Sequence, residues 1–437
     1  MSAGLSAELA EAIQRCNACG FCQANCPIYQ EMFDETACPR GRVRLFRSVL
    51  EGQQELTPTY LKKIERCIGC MACTAVCPSG VQPHKVILAA RAHATERKGL
   101  PKLKALAIKE LLPNEGAHGL AFALASYAQR LGVSHLVPSE LVPQGIDLTS
   151  FPLTSRPFRS QVPVHHPSLG QNRERVAFFV GCMIDHSLPQ VGHAALRVLS
   201  HIGAEVIVPR ELRCCGLPLI MSGDLEAARV LAADNLRILA ALPVDRIVTA
   251  CASCGNALRN EYRDLFEDDD LAEIANLVAD KTEDIVAHAV RNLAQGEVGR
   301  FEARVTYHDP CHLVRGQGVT AEPRDLLRSI PGVDYIELAE ADRCCGAGGT
   351  FQLLFPDLAW HITHRKIENI RRTQADIVLT ACPACIQRLQ GGLKRLGSPQ
   401  PTLHISELLD RALAARQGAA TAGRAQASKA VERISRD

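Results

Sequence analysis

Two cysteine runs near the start of the chain have the same spacing. They are Cys16-x2-Cys19-x2-Cys22-x3-Cys26-Pro27 and Cys67-x2-Cys70-x2-Cys73-x3-Cys77-Pro78. In this spacing three thiolates of one run hold three corners of a four-iron cubane, and the fourth cysteine ligates the other cluster. The pattern therefore predicts two [4Fe-4S] clusters, one held by Cys16, Cys19, Cys22 and Cys77 and the other by Cys67, Cys70, Cys73 and Cys26. A pair of zinc sites is the alternative, which two three-plus-one runs disfavour.

Ten further cysteines form a tandem repeat in the second half of the chain. In the first copy, 31 residues separate Cys182 from Cys214-Cys215-Gly216, and 35 residues lead on to Cys251-Ala-Ser-Cys254. In the second copy, 32 residues separate Cys311 from Cys344-Cys345-Gly346, and 36 residues lead on to Cys382-Pro-Ala-Cys385. Corresponding cysteines are offset by 129 to 131 residues. Two copies of one unit therefore follow each other.

Each cysteine group of the repeat follows a short run of β-forming residues. These runs are 176–180, 206–208 and 246–249 in the first copy, and 305–308, 333–338 and 377–380 in the second. The segments between them carry apolar residues on one face of a helix. Strand, helix, strand order predicts a parallel sheet, whose sites form beyond the carboxyl ends of the strands. We expect the ten sulfurs to converge there in two groups.

The chain divides into five parts. We expect an α-helical two-cluster ferredoxin domain over 1–100, a helical segment and proline-rich linker over 101–172, α/β repeats over 173–300 and 301–415, and a mobile tail over 416–437. The six prolines between residues 138 and 172 cannot sustain a helix or an inner strand. The predicted fold class is thus multidomain, α+β and α/β, with parallel sheets in two tandem repeats related by pseudo-two-fold symmetry.

Composition and charge limit the partners. The formal net charge is +2 and aromatic residues make up 4% of the chain, so nucleic acid is not expected as a partner. The first residues lack the pattern of a signal peptide, and the most apolar stretch, Gly119 to Val137, is interrupted by polar residues. We expect a cytoplasmic protein, with peripheral attachment to the inner face of the cytoplasmic membrane left open. In a reducing compartment the cysteines act as metal ligands rather than as disulfides.

Two further motifs carry a family resemblance, which extends from about Ala10 to Asp410. The segment Cys38-Pro39-Arg40-Gly41-Arg42 resembles the Pro-Arg-Gly-Arg of the iron-sulfur subunits of glycolate oxidase and lactate utilisation complexes. The repeat resembles the cysteine-rich CCG domain of those subunits, of the anaerobic glycerol-3-phosphate dehydrogenase iron-sulfur subunit and of heterodisulfide reductase. Cys38 matches no ligand, and we interpret it as a small, half-buried residue. Arg40 and Arg42 either pair with cluster charge or a partner's carboxylates, or lie in a solvated turn.

The resemblance implies a ligand set for each repeat, because such five-cysteine units hold noncubane four-iron clusters in heterodisulfide reductase. Carried over, the first set is Cys182, Cys214, Cys215, Cys251 and Cys254, and the second is Cys311, Cys344, Cys345, Cys382 and Cys385. Zinc held by four thiolates, or a redox-active dithiol at either Cys-Cys pair, is the alternative. Glycolate oxidase subunits often lack part of the first set, so its completeness departs from that subfamily.

The segment His308-Asp309-Pro310-Cys311-His312 is the remaining candidate for acid-base chemistry. The first copy has no histidine around Cys182. We expect His308 and His312 to hydrogen-bond to cluster sulfur or to the backbone, with proton donation as the alternative. The glycine-rich loop that follows Cys345 fails the dinucleotide fingerprint, because position 351 is Phe.

The resemblance implies the iron-sulfur subunit of an oxidoreductase complex. In this interpretation the chain takes electrons from an FAD-containing 2-hydroxy-acid dehydrogenase or oxidase, acting on glycolate or lactate, and passes them towards quinone or another membrane acceptor. One alternative is a catalytic subunit like that of heterodisulfide reductase, which reduces a disulfide at noncubane clusters. Two others are zinc-bound repeats that serve as docking modules, and the electron-transfer subunit of another anaerobic reductase.

Overall fold

The computed structural model describes residues 7–100, 127, 153–169, 172–294 and 296–416. The helical segment expected after residue 100, much of the proline-rich linker, and the tail beyond residue 416 lie outside the described residues. None of the described helices is long and apolar enough to cross a membrane.

Residues 7–100 form a helical domain. Its helices are Ala7–Arg15, Phe21–Ala24, Pro27–Met32, Pro39–Leu50, Pro58–Glu65, Ala72–Ala75 and Pro83–Lys98, with a 3-10 turn at Glu35–Ala37. Four helices begin with proline, which suits the first turn because its missing N–H has no intrahelical partner there. A small apolar core that includes Phe46, Tyr60 and Val86 holds the longer helices together.

Two sheets follow. The first contains β1 (His165–His166), β2 (Glu174–Phe179), β3 (Ala204–Ile207), β4 (Arg246–Thr249) and β5 (Thr282–Asp284), and the second contains β6 (Ala303–Tyr307), β7 (Val333–Ile336), β8 (Ile377–Thr380) and β9 (Thr402–His404). Their strand orders are β1-β3-β2-β4-β5 and β7-β6-β8-β9. All pairs are parallel except β1 with β3. Without β1 the two orders are identical, so the predicted tandem α/β repeats are confirmed.

Helices cover both sheets. In the first repeat they are Cys182–His186, Pro189–His201, Leu217–Ser222, Leu225–Ala241, Ala252–Asn256, Tyr262–Leu265, Ala272–Lys281 and Ile285–Asn292, with a π-helical turn at Ala257–Glu261. In the second they are Cys311–Val314, Glu322–Ser329, Phe351–Leu354, Pro356–Thr373, Pro383–Arg395 and 405–416. The central strands β2 and β4 are almost wholly buried, as expected where helices cover both faces of a parallel sheet.

The linker and the last strand of the first repeat depart from the sequence prediction. Residues 153–169 contain the edge strand β1 and a helical turn, Phe158–Gln161, and the prolines do not predict the helical turn. The buried ring of Phe158 packs edge-on against Phe178 at 6.1 Å, which fixes this segment on the first repeat. Strand β1 lies at the sheet edge, where nearby prolines are tolerated. Strand β5 is polar, so no apolar run marks it in the sequence.

Candidate metal centres

The two N-terminal cysteine loops have positive φ at the same two positions. Ala18 and Gly20 in the first loop have φ of 58° and 93°, and Gly69 and Met71 at the corresponding positions of the second have φ of 71° and 58°. L-residues rarely adopt positive φ, and such conformers persist mainly at functional sites. Left-handed residues within a turn also make backbone N–H groups converge on concavities that bind anions and iron-sulfur centres. Both loops therefore have a shape suited to a bound cluster.

The structure brings Cys26 to the cysteines of the other run. The pKa of Cys73 lies well above its ordinary value, because the side chain is buried and because the sulfurs of Cys67, Cys70 and Cys26 lie nearby. Burial likewise raises the pKa of Cys70 to about 12. The sulfurs of Cys67, Cys70, Cys73 and Cys26 are the set predicted for one cubane. We call them the crossed set, because Cys26 comes from the other cysteine run. Since a cluster binds thiolates, loading this site releases protons from the buried thiols.

Cys16, Cys19 and Cys22 form the other group. The pKa of Cys22 is raised mainly by burial, with further contributions from Cys16 and Cys19. Cys19 is exposed, so this group lies at the protein surface. Cys77 is half-buried against the helical core, and its part in this cluster remains a prediction.

The segment from Cys38 to Arg40 supports the first loop. Arg40 donates a backbone hydrogen bond to the sulfur of Cys22, and its guanidinium donates to the carbonyl of Ala18 at 2.9 Å. Cys38 is fully buried and accepts a hydrogen bond from the N–H of Gly41 at 3.4 Å, which caps the helix Pro39–Leu50. Burial raises the pKa of Cys38 to about 11. The interpretation of Cys38 as half-buried is thus wrong, because its sulfur serves as an interior helix cap.

The five cysteines of the first repeat meet beyond the carboxyl ends of β2, β3 and β4. The sulfurs of Cys182 and Cys214 are 3.8 Å apart, and Cys254 interacts with both Cys215 and Cys251. The pKa of Cys215 lies well below its ordinary value, because Cys214 and Cys254 donate hydrogen bonds to its sulfur. The group therefore brings five sulfurs together at one edge of the sheet.

The second repeat gathers its five cysteines in the same way. The sulfurs of Cys345 and Cys385 are 3.5 Å apart, and Cys311 interacts with Cys344. The pKa of Cys345 lies well below its ordinary value because of its contacts with the sulfurs of Cys344 and Cys385. Cys382 interacts with Cys385 and completes the set. Converging thiolate ligands bind zinc and iron-sulfur clusters, so either could occupy each group of five sulfurs.

The two groups of five touch at equivalent positions of the repeats. Cys251 interacts with Cys382, the first cysteine of the corresponding pair. Beside them, the N–H of Ala252 donates to the carbonyl of Ala381 at 3.2 Å. The oxygen of Ser253 lies 3.8 Å from the sulfur of Cys382. The ten sulfurs therefore form one continuous row across the boundary between the repeats.

The loop that carries Cys70 packs directly on the second group. Ile68 and Cys70 share an apolar cluster with Cys344. Arg315 donates to the carbonyl of Cys70 at 3.3 Å, and the Nε2 of His312 donates to the carbonyl of Gly69 at 3.3 Å. The crossed set of the N-terminal domain is thus the neighbour of the second repeat's sulfurs.

The histidines of the second repeat contact the backbone. The Nδ1 of His308 donates to the carbonyl of Ala341 at 3.1 Å. Burial lowers the pKa of His308 to about 3, so its ring is neutral. His312 donates to the backbone as described above, and its Nδ1 accepts from the hydroxyl of Ser253 at 3.2 Å. The predicted hydrogen bonds to the backbone are thus present in both rings, and proton donation stays the alternative.

Two residues near the site, Arg315 and Lys366, were not anticipated from the sequence. Arg315 follows Cys311 by one helical turn and reaches the N-terminal domain. Lys366 is fully buried, and its ammonium donates to the carbonyls of Glu340 and Ala341. Burial lowers the pKa of Lys366 to about 8. A lysine between Ile362 and Ile370 on the apolar face of a helix is the sequence signal that could have revealed it.

Comparison with known proteins agrees with this architecture. Residues 12–81 match the family described as "4Fe-4S dicluster domain", and residues 176–259 and 305–390 each match "Cysteine-rich domain". The chain is 40% identical over 247 residues to a subunit of the CoM/CoB fumarate reductase of Methanothermobacter marburgensis, covering 56% of this chain and 48% of that protein. It is 34% identical over 237 residues to "Lactate utilization protein A" of Exiguobacterium sp., covering 54% of this chain and 96% of that protein.

One relative extends over nearly the whole chain. The "Probable glycolate oxidase iron-sulfur subunit" of Bacillus subtilis (strain 168) is 31% identical over 411 residues, which are 90% of this chain and 92% of that protein. The similarity thus includes the N-terminal domain and both repeats in the same order. The chain belongs to the family of glycolate oxidase-type iron-sulfur subunits, in which a 4Fe-4S dicluster domain precedes two cysteine-rich domains.

Proposed function

We propose that this chain is the electron-transfer subunit of a multi-subunit oxidoreductase. A partner flavoprotein with FAD oxidises a 2-hydroxy acid, glycolate or lactate, and the electrons pass through this chain towards quinone or another membrane acceptor that the chain meets peripherally. The relatives named for glycolate oxidase and lactate utilization support the substrate class. In this proposal catalysis of substrate oxidation belongs to the partner.

The observation that carries the proposal is the unbroken sequence of ligand groups. The surface group at Cys19 adjoins the crossed set, since Cys22 lies near Cys73. The crossed set adjoins the second repeat through Cys70 and Cys311. The second repeat adjoins the first through Cys382 and Cys251. Electron transfer requires closely spaced centres, and here no ligand group is separated from the rest.

The residues would hold two cubanes in the N-terminal domain and, in each repeat, a noncubane four-iron cluster on all five cysteines. When bound, such clusters supply one-electron storage at potentials set by burial, net charge and hydrogen bonds to sulfur. The protein contributes a dry environment: Cys70 and Cys73 are buried, as are the sulfurs of both repeats except for half-exposed Cys182 and Cys311. Arg40 and Arg315 add fixed positive charge beside the N-terminal loops.

Metal content is the first test. The full chain is purified without oxygen, and iron, sulfide and zinc are measured per polypeptide together with electron paramagnetic resonance spectra. About 16 iron ions per chain are expected for four four-iron clusters. About 8 iron ions with one or two zinc ions would restrict electron transfer to the N-terminal domain and contradict the proposal for the repeats.

Serine substitutions assign the iron to sites. We expect Cys254→Ser to remove the signal of the first repeat and Cys385→Ser that of the second. Cys38→Ser is the matched control, because Cys38 is buried but belongs to no ligand group and serine can keep the helix cap. Its iron content should equal that of the unmodified chain.

The partner is tested by reduction with substrate. The chain is isolated together with its flavoprotein, and the absorbance of the clusters is followed after addition of glycolate or lactate. Bleaching that requires both the flavoprotein and the hydroxy acid supports the proposal. Reduction of the chain by the hydroxy acid in the absence of any flavoprotein would refute it, as would clusters that stay oxidised in the reconstituted pair.

Disulfide reduction in the repeats is the second candidate function. Both five-cysteine sets are complete, as in the heterodisulfide reductase units that the repeats resemble. In this case two electrons and two protons convert a small disulfide to two thiols. Turnover of a disulfide by the reduced chain, lost in Cys345→Ser and retained in Cys38→Ser, would favour this function over electron transfer alone.

A further inference from the structure

One buried imidazole lies beside the sulfurs of the second repeat. A ring nitrogen of His308 and the sulfurs of Cys345 and Cys385 all lie within 4.8 Å of one another. His308 is wholly inaccessible to solvent. Its Nε2 has no hydrogen-bond partner among the described residues. A buried polar atom without a partner is unfavourable by about 1–3 kcal/mol, so the arrangement calls for an occupant at this nitrogen.

The tautomer of His308 is fixed by its surroundings. A carbonyl oxygen can only accept, so the contact of Nδ1 with the carbonyl of Ala341 at 3.1 Å places the proton on Nδ1. The lone pair is then on Nε2. The backbone N–H of His308 donates to the carbonyl of Leu379 at 2.8 Å, which anchors the ring at the end of β6. Histidine ligands of metals characteristically donate their second nitrogen to a carbonyl in this way.

We propose that the Nε2 of His308 is a ligand of the metal centre that Cys345 and Cys385 hold in the second repeat, an inference that rests on the proposed presence of a metal there. Imidazole nitrogen binds both iron and zinc. The second centre would then have five sulfur ligands and one nitrogen, and the centres of the two repeats would differ in kind.

The neighbouring histidines do not share this geometry. His312 uses both ring nitrogens, one towards Gly69 and the other towards Ser253. The Nδ1 of His404 accepts from the N–H of Ser406 at 3.2 Å, which leaves the proton on its Nε2. In the first repeat the residue three positions before Cys182 is Phe179, a buried apolar ring that offers no ligand atom. The nitrogen ligand is therefore specific to the second centre.

Pulsed electron paramagnetic resonance of the full chain tests the proposal. The signal of the second repeat is the one that Cys385→Ser removes. In unmodified protein this signal should show coupling to a ¹⁴N nucleus. Growth with ¹⁵N-histidine should replace that coupling by coupling to ¹⁵N. His308→Ala should abolish this coupling. His312→Gln is the matched control and should retain it. The labelled unmodified protein keeps the test decisive even where His308→Ala loses the cluster.

If the second repeat binds zinc, the proposed function is contradicted, but the role of His308 as a metal ligand can still be tested. X-ray absorption at the zinc edge should then show a nitrogen neighbour at about 2.0–2.1 Å that disappears in His308→Ala. A centre with sulfur ligands alone, a histidine coupling that survives His308→Ala, or a second repeat that binds no metal in the full chain would each overturn the proposal.

Discussion

Replacing Gly348 with alanine should loosen the packing of the N-terminal domain on the second repeat. Gly348 has φ of +52°, and an added Cβ would lie 2.4 Å from Cγ1 of Ile68 and 2.9 Å from Cβ of Phe351. The first distance is about 1 Å short of ordinary contact. Ile68 lies in the cysteine loop beside Cys70, so relief of the overlap moves this loop away from Cys344.

The adjacent Gly349 provides the control. Its φ is +56°, and no described atom lies within 4 Å of an added Cβ. Both alanine variants place a side chain in the left-handed region, which costs about 1–2 kcal/mol. Only Gly348→Ala adds the overlap, and insertion of a methyl group into a packed site costs about 1–3 kcal/mol. The expected difference in the free energy of unfolding between the two variants is therefore about 1–3 kcal/mol.

Thermal unfolding of the anaerobic, iron-loaded chain measures this difference. A loss of 1 kcal/mol lowers the melting temperature by about 2–4 °C in a unit of 150–250 residues. Rapid-freeze spectra should also show slower reduction of the second repeat from the N-terminal clusters in Gly348→Ala, and unchanged reduction in Gly349→Ala. Equal melting temperatures and equal reduction rates for the two variants would refute the inferred contact.

Three further outcomes follow from local contacts. Arg40→Ala removes the positive charge that lies beside the carbonyl of Ala18 in the first cysteine loop. A redox titration should therefore show a more negative potential for the cluster that this loop binds. Cys38→Ala removes the cap on the N–H of Gly41, and denaturant unfolding should show a loss of about 1 kcal/mol at unchanged iron content. Burial raises the pKa of Glu261 to about 7, above its unfolded value of 4.5, so stability is lost as the pH rises between these values. The loss of stability amounts to about 3 kcal/mol. Glu261→Gln should abolish it, as shown by comparing melting curves at about pH 5 and about pH 8.5.

Cysteine spacing predicted most of the candidate site because each ligand group is local in sequence. A run such as Cys67 to Cys73 fixes its own geometry within one loop, and the offset between copies reveals the repeat. Strands β2, β4, β6 and β8 were predicted because buried parallel strands are continuous apolar runs. The polar strand β5 has no such run, so only its pairing with β4 defines it.

Contacts between the parts could not be predicted from the sequence. The hydrogen bond from Arg315 to Cys70 joins residues that are 245 positions apart. Lys366 and His308 converge on one carbonyl, that of Ala341, which belongs to a loop without any motif. The capping role of Cys38 was missed for a different reason: the sequence places it outside every ligand set but gives no sign of the backbone N–H that its sulfur accepts from.

The N-terminal domain makes two equivalent repeats unequal. Its loop at Cys70 packs against Cys311 and Cys344 of the second repeat. The matching pair in the first repeat, Cys182 and Cys214, instead lines a cavity of about 260 Å³. One end of the row of ten sulfurs thus lies against the crossed set, and the other end lies at a cavity. Two symmetric repeats without the N-terminal domain would not differ in this way. Because Cys70 lies beside Cys311, electrons that enter at the surface group of Cys19 would reach the second repeat before the first.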